Sequence, residues 1–316
     1  MLIKDIKFEN RSYDSVNQEM LSTYMKKRGM ANLKLEDLNL WTRSFGENYY
    51  PVIVTPKNTD RIVLTCHGIE YTSVHNENEK ITFIGFFWID EEFRGKDIMI
   101  HFSNTLATYS HISMTVHTVL KPIAARCFKM VTGEFNKCFN SYVSIYDKNE
   151  LHLEEKPVSQ ITLKKISEVS PNLLTAYDQS IFPFNRADYI TEFLKQKNCY
   201  SRIALNSSGE IIGYGNIILF ESTNLAQIQP LYADNAEIAS AIVSEILHSE
   251  NLDFEQISHR SNDKHNESYE WFKPLLKKDV ELRREFVSTY GWSGNGPKDF
   301  GISKVFSSSS TIVCPI

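Results

Sequence analysis

The stretch IDEEFRGKDIMIHF, Ile89 to Phe102, holds the residue types best suited to chemistry in this chain. Arg94-Gly95-Lys96 follows an apolar, strand-like run and precedes a helical pattern. A turn of this kind can cradle an anion. The start of a helix offers unpaired N–H groups and the positive end of a dipole. Glycine lets the backbone approach closely. Arg94 can fork onto a phosphate, and Lys96 adds a point charge. Asp97 works against this, because a carboxylate beside a diphosphate repels it. An aspartate at a helix start also caps the helix. Two readings of the turn stay open: an intact diphosphate cradle, or a structural turn capped by Asp97.

The surrounding elements must position that turn. Residues 1–8 read as a strand, and 15–28 and 33–44 as helices, the second anchored by Leu35, Leu38, Leu40 and Trp41. YYPVIVTP (49–56), RIVLTCHGIEYT (61–72) and KITFIGFFWI (80–89) read as strands, the last apolar enough to be buried on both faces. Ile98, Phe102, Leu106 and Tyr109 recur at helical spacing. A strand at 111–120, a helix over 121–132 stopped by Gly133, and a strand over 139–147 complete the first half. Polar KNELHLEEKPVSQ looks like a linker. A similar order then returns. A strand begins at Ile161, helices cover 171–181 and 187–196, and a hairpin turns at 206–209. LAQIQPLYA is a strand, 235–248 an amphipathic helix, 253–260 a strand, 267–276 a helix, and two late strands follow. The repeated order predicts an internal duplication. The expected domains are 1–148, a linker at 149–160, and 161–316.

At 316 residues the chain has room for two domains, and 42% hydrophobic content supports a packed core. A net charge of -5 argues against nucleic acid as a partner. The longest strongly apolar run, FIGFFWI, is far short of the ~20 residues that span a bilayer, and no secretory signal is visible. The five cysteines are scattered without a CxxC pair, which suits free thiols in a reducing, cytoplasmic setting. His259, Asp263 and His265 have no standard metal-site spacing, so no metal is expected. STYGWSGNGPKDFG, 288–301, is glycine-rich but lacks a following helix, and reads as a surface loop.

FFWIDEEFRGKDIMIHF resembles the acyl-coenzyme-A signature of the GNAT superfamily of N-acetyltransferases, a strand, an Arg/Gln-x-x-Gly-x-Gly/Ala turn and a helix. KPIAARCFKMVTGEF resembles that family's second signature, with Ala124, Phe128, Gly133 and Phe135 in the matching places. The segments 177–194, 228–247 and 298–307 are similar to the C-terminal domain of the tandem YitH/HolE-like GNAT proteins, PLYAD before a helix most of all. The resemblance implies an α/β fold with α+β mixed sheets in two tandem GNAT-like domains. It implies acetyl-CoA as co-substrate and a small-molecule or peptide amine as acceptor. The acyl-CoA site would comprise Phe87, Ile89, Arg94, Gly95, Lys96, Asp97, Ile98 and Met99. The family's two turn glycines fall on Asp97 and Met99, and Phe128 stands where many members carry a proton-donating tyrosine. These departures support an alternative, a catalytically inactive acyl-CoA or metabolite sensor or interaction scaffold. Acyl transfer also needs a base, for which Glu70 and Glu79 are candidates and His67, His75 and His117 outsiders. QPLYADNAE in the second half lacks both a basic group and a glycine, so that half is not expected to hold coenzyme A in the usual way; Asp234 or Asn235 would cap its helix. Tyr177, Asp178, Phe182, Arg186 and Tyr232 are candidates to shape an acceptor pocket between the domains.

Overall fold

The computed structural model describes residues 7–11, 35–94, 96–107, 114–118, 136–152, 161–221, 223–292 and 300–308. They fall into two compact units. One takes the described residues up to Lys137 together with Gly291 and Trp292; the other takes Cys138–Tyr290 and the described residues after 299. The helices expected at 15–28 and 121–132, with Phe128, lie outside the described residues.

In the first unit, β1 (Phe8–Arg11), β2 (Tyr49–Pro56), β3 (Leu64–Thr72) and β4 (Lys80–Ile89) form an antiparallel ladder in that order. β5 (Met114–Thr118) then joins β4 in parallel. A parallel neighbour needs a crossover, and the helix α2 (Lys96–Ala107) supplies it. The helix α1 (Leu35–Phe45) covers one sheet face through Leu38, Trp41 and Phe45, all buried. Their spacing of three and four residues makes the apolar stripe. Glu36 and Asp37 in its first turn and Arg43 in its last suit the helix dipole. Strand alternation sends Leu64 and Cys66 to the other face, where they pack with Ile98 and Phe102 of α2 and with Phe93.

The second unit repeats this plan. β7 (Thr162–Lys164), β8 (Cys199–Leu205), β9 (Ile211–Phe220) and β10 (Leu225–Ala233) form the antiparallel ladder. The helix α5 (Ala236–Ser249) crosses to β11 (Gln256–Asn262), parallel to β10. α3 (Pro171–Ile181) and α4 (Ala187–Phe193) precede β8. Ile238, Ile242 and Ile246 turn one stripe of α5 into the core with Ile217, Ile228, Ile257, Trp271 and Phe272. Gly213 permits this approach: a Cβ there would stand 2.9 Å from the Tyr232 carbonyl oxygen. β6 (Asn136–Asp147) pairs antiparallel with β11, and β12 (Glu285–Trp292) flanks β6. The division between the units falls before most of β6. Leu151, expected in the linker, is buried in the second unit's core and bridges to Leu276.

Three local expectations are corrected. The strand from Ile161 stops at Lys164, and residues 166–168 form a 3-10 turn. The helix over 267–276 is a short α6 (Glu267–Glu270) and a separate 3-10 turn; Pro274 cannot donate a helical hydrogen bond. Ser288 to Trp292 of the supposed surface loop extend β12.

Candidate acyl-CoA site

Among the described residues, β4 and β5 pair from Thr82–Ile84 to Met114–Val116. Past that point β4 carries one extra residue relative to β3, a bulge opposite Cys66. A bulge interrupts the ladder and re-aims the strand. Past Ile84 the described pairings of β4 are those with β3, along a stretch, Gly85–Ile89, that includes the backbone of Phe87. Cys66 Sγ donates to the Gly85 carbonyl at 3.7 Å, and burial pushes its thiol pKa up.

The strand leads into a 3-10 turn, Glu91–Phe93, capped by Asp90, whose carboxylate accepts from Glu92 N at 3.1 Å. Arg61, from the β2–β3 connection, braces this turn. Its guanidinium lies 2.9 Å from Asp90 and 2.6 Å from Glu92, and 4.9 Å over the Phe93 ring. The hydrogen bond to Asp90, then that to Glu92, raises the Arg61 pKa. Sequence reasoning missed Arg61, because a partner 29 positions away leaves no local signal. Phe93 is the apolar pin beneath the turn, buried and edge-on to Phe8.

Arg94 is exposed and has two partners of its own: Nε donates to the Ile89 carbonyl at 3.4 Å, and Nη1 lies 3.4 Å from Glu91. To reach a diphosphate it would release Glu91, an exposed pair of the kind worth about 0–1 kcal/mol. Gly95 lies outside the described residues. Lys96, Asp97 and Met99 are the first, second and fourth residues of α2. Asp97 therefore sits in the first turn of α2, where a carboxylate suits the positive end of the helix dipole. Ile98 is fully buried among Leu64, Cys66 and Phe102, so only its backbone remains for a ligand. α2 is tied to β1 by His101 Nε2 to Asn10 Oδ1 at 2.9 Å and by Asn10 Nδ2 donating to Thr105 Oγ1 at 3.0 Å.

Of the candidate bases, Glu70 is buried on the α2 side of the sheet, opposite Thr82 and so two residues from the last β4–β5 pair. Lys80 Nζ lies 2.7 Å from it, and that hydrogen bond raises the lysine pKa. The Thr82 hydroxyl is buried with no hydrogen-bond partner. His67 alternates to the α1 side, with Tyr49 Oη 2.7 Å from Nδ1, and burial lowers its pKa to about 4. Glu79 and His75 are exposed in the β3–β4 turn. His117 lies on β5.

The five candidates of the second half do come together, but in its interior. Arg186 holds Asp178 through two hydrogen bonds, 2.9 and 2.8 Å, and both side chains are almost completely enclosed. Tyr214 Oη donates to the same carboxylate, Arg186 donates to Tyr232 Oη, and Phe182 stacks under the guanidinium. Tyr177 Oη donates to Asp234 Oδ1 and to the Ile212 carbonyl, both at 3.1 Å. This network organises the core and is inaccessible to an acceptor, which corrects the pocket reading. Asn235 does cap α5, accepting from Ile238 N at 3.0 Å. His259 sits in the core against Tyr146, Trp271 and Phe272, His265 Nδ1 bonds the Val305 carbonyl, and Asp263 accepts from Asn140. Among the described residues no group of three or more ligating side chains could hold a metal. Among them, too, no helix is long and apolar enough to cross a membrane.

Known proteins resemble this chain. An uncharacterized protein of Caenorhabditis elegans, F36G3.2, is 23% identical over 177 residues, covering 52% of this chain and 54% of that protein; the match spans about half the relative's length. A proposed acetyltransferase from Pyrococcus horikoshii superposes with a TM-score of 0.64 at 11% identity over 97% of this chain and 95% of that one. A tandem GNAT protein from the clavulanic acid biosynthesis pathway gives 0.61 at 10% identity over 93% and 100%. Saccharomyces cerevisiae N-myristoyltransferase, solved with myristoyl-CoA and inhibitors, gives 0.60 at 12% identity over 98% and 90%. At such identities the likeness establishes a tandem GNAT-type fold. Residues 174–265 match an acetyltransferase (GNAT) domain. Residues 12–181, more than half of the chain, match the family described as protein of unknown function (DUF1248), and the chain belongs to that family.

Proposed function

We propose that this protein is an acyl-CoA-dependent N-acyltransferase whose first half, close to residues 1–148, binds acetyl-CoA and transfers its acetyl group to a small-molecule or peptide amine. The observation that carries this reading is the end of the β4–β5 pairing among the described residues at Ile84 and Val116, beside a bulge in β4 that leads into the Arg94 turn and α2. The freed backbone of Phe87 and Ile89 would bond the pantetheine arm. The amides of Lys96 to Met99 would face the diphosphate at the helix start, with Arg94 and Lys96 as counter-charges. In the transfer the amine nitrogen attacks the thioester carbonyl, a C–N bond forms, the C–S bond breaks, and the thiolate leaves with a proton. Glu70 is the base we assign to take the amine proton. Cys66, Cys138 and Cys199 stand outside any disulfide, which supports a cytoplasmic setting. The finer resemblance to the YitH/HolE-like proteins rests on the PLYAD segment and its helix.

A second reading, a non-catalytic acyl-CoA sensor or scaffold, is favoured by the acidic surroundings of the turn. Asp90, Glu91, Glu92 and Asp97 outnumber Arg61, Arg94 and Lys96. Titration calorimetry with acetyl-CoA, followed by thiol-release assays over a panel of amines and lysine peptides, separates the readings. Binding with transfer supports the enzyme, binding without transfer the sensor, and no heat at millimolar ligand sinks both acyl-CoA readings.

A further inference from the structure

The second unit has its own equivalent of the gap between β4 and β5. β10 and β11 pair from Leu225–Gln227 to Gln256–Ser258, and β10 then bulges between Ile228 and Leu231. Here the gap has an occupant from the same chain. The short strand β13 (Val305–Ser307) lies antiparallel to β10, with Ser307 opposite Leu231 and Val305 opposite Tyr232. The Ser307 hydroxyl spans the two parted strands: it donates to the Ile228 carbonyl on β10 at 2.7 Å and accepts from Arg260 N on β11 at 2.9 Å. Ser308 N donates to the Arg260 carbonyl at 3.1 Å, and His265 Nδ1 bonds the Val305 carbonyl at 3.1 Å. Phe306 is fully buried, edge-on to His265 and Trp271. At the head of the gap, the Lys304 ammonium lies 2.9 Å from Asp234, and Asn235 already caps the helix start.

Each feature an acyl-CoA would use is therefore taken. The exposed strand edge, which an extended ligand would join by adding a strand, is paired with β13. The apolar floor holds Phe306. The helix start faces an aspartate and is served by its own cap. A segment tethered to its site competes at a high effective concentration and leaves no edge for a free ligand.

We infer that β13 is a built-in substitute for the acyl-CoA arm, so that the second unit is closed to acyl-CoA and each chain carries a single acyl-CoA site. The single site rests on the proposed function of the first unit; the closure of the second does not. Equilibrium dialysis with acetyl-CoA, paired with hydrogen exchange of the full chain, tests both. About one equivalent should bind. Ligand should slow exchange within Gly85–Ile98 and leave Leu231–Ile238 and Val305–Ser308 unchanged. A second equivalent, new protection at Leu231–Ile238, or ligand-induced loosening of Val305–Ser308 overturns the inference. If nothing binds, the first-unit reading falls while the closure is judged on exchange without ligand: slow exchange at Val305–Ser308 supports it, and exchange as fast as in a free peptide overturns it. Phe306→Ala with Ser307→Gly, in a chain that stays folded, should add binding that ligand protection maps to Leu231–Ile238.

Discussion

The Glu70 carboxylate and the Lys80 ammonium lie 2.7 Å apart across neighbouring strands, on the side of the sheet that α2 covers. Glu70 is buried and Lys80 half-exposed, so the carboxylate is held in one place by a partner that keeps contact with water. Next to it stands the partnerless Thr82 hydroxyl, in the first β4–β5 pair and two residues before the last. Glu70→Gln should keep acetyl-CoA binding and lower thiol release with a competent amine by about 10²-fold or more, the usual contribution of a positioned base. A variant that turns over at the wild-type rate would remove Glu70 from the mechanism.

Arg94 and Asp97 should act in opposite directions on acetyl-CoA affinity. Arg94→Ala removes a charge-assisted hydrogen bond of about 1.5–3 kcal/mol, or roughly ten- to hundredfold in Kd. Asp97→Gly removes a carboxylate from the first turn of α2 and should tighten binding, although glycine costs the helix about 1 kcal/mol. Calorimetry at two salt concentrations reads both. Equal affinity for wild type and Arg94→Ala would place the diphosphate elsewhere.

Much of this architecture was legible in the chain itself. The runs 49–56 and 80–89 are strands with the expected bounds, because largely apolar sequence between turn residues leaves few alternatives. Pro171 opens α3 and Asn235 caps α5 for local reasons. What the sequence concealed is non-local. Arg61 bracing Asp90 and Ser307 bridging Ile228 to Arg260 depend on strand order and on which residues meet across it, and the burial of Asp178 with Arg186 depends on how α3 and α4 pack. Asp178 and Arg186 read as candidates for an acceptor pocket, since charged residues are rarely enclosed unless paired, and the pairing emerges only with the fold.

Acid should destabilise the protein through two core histidines. Burial lowers the pKa of His67 to about 4 and of His259 to about 3, against about 6.5 in an unfolded chain. Between those values the unfolded state binds the extra protons. Stability is therefore full above pH ~6.5 and falls as pH drops, by about 1.4 kcal/mol per pH unit for each histidine. Urea titrations from pH 7 to pH 4.5 should show this slope, and His67→Gln should remove about half of it. A stability that does not change over that range would mean that both imidazoles can charge in place.

The Asp178–Arg186 pair gives the sharpest stability prediction. Both groups are enclosed, doubly hydrogen-bonded, and satisfied further by Tyr214 and Tyr232. Removing one partner leaves the other charged in a dry interior, which costs about 3–5 kcal/mol in such pairs. Asp178→Ala and Arg186→Met should each lose that much in urea unfolding. The double variant should lose less than the sum, because neither remaining group is then an isolated charge. Losses that simply add would show that the two side chains stabilise the second unit independently, and that the ion pair between α3 and the start of α4 is incidental to its fold.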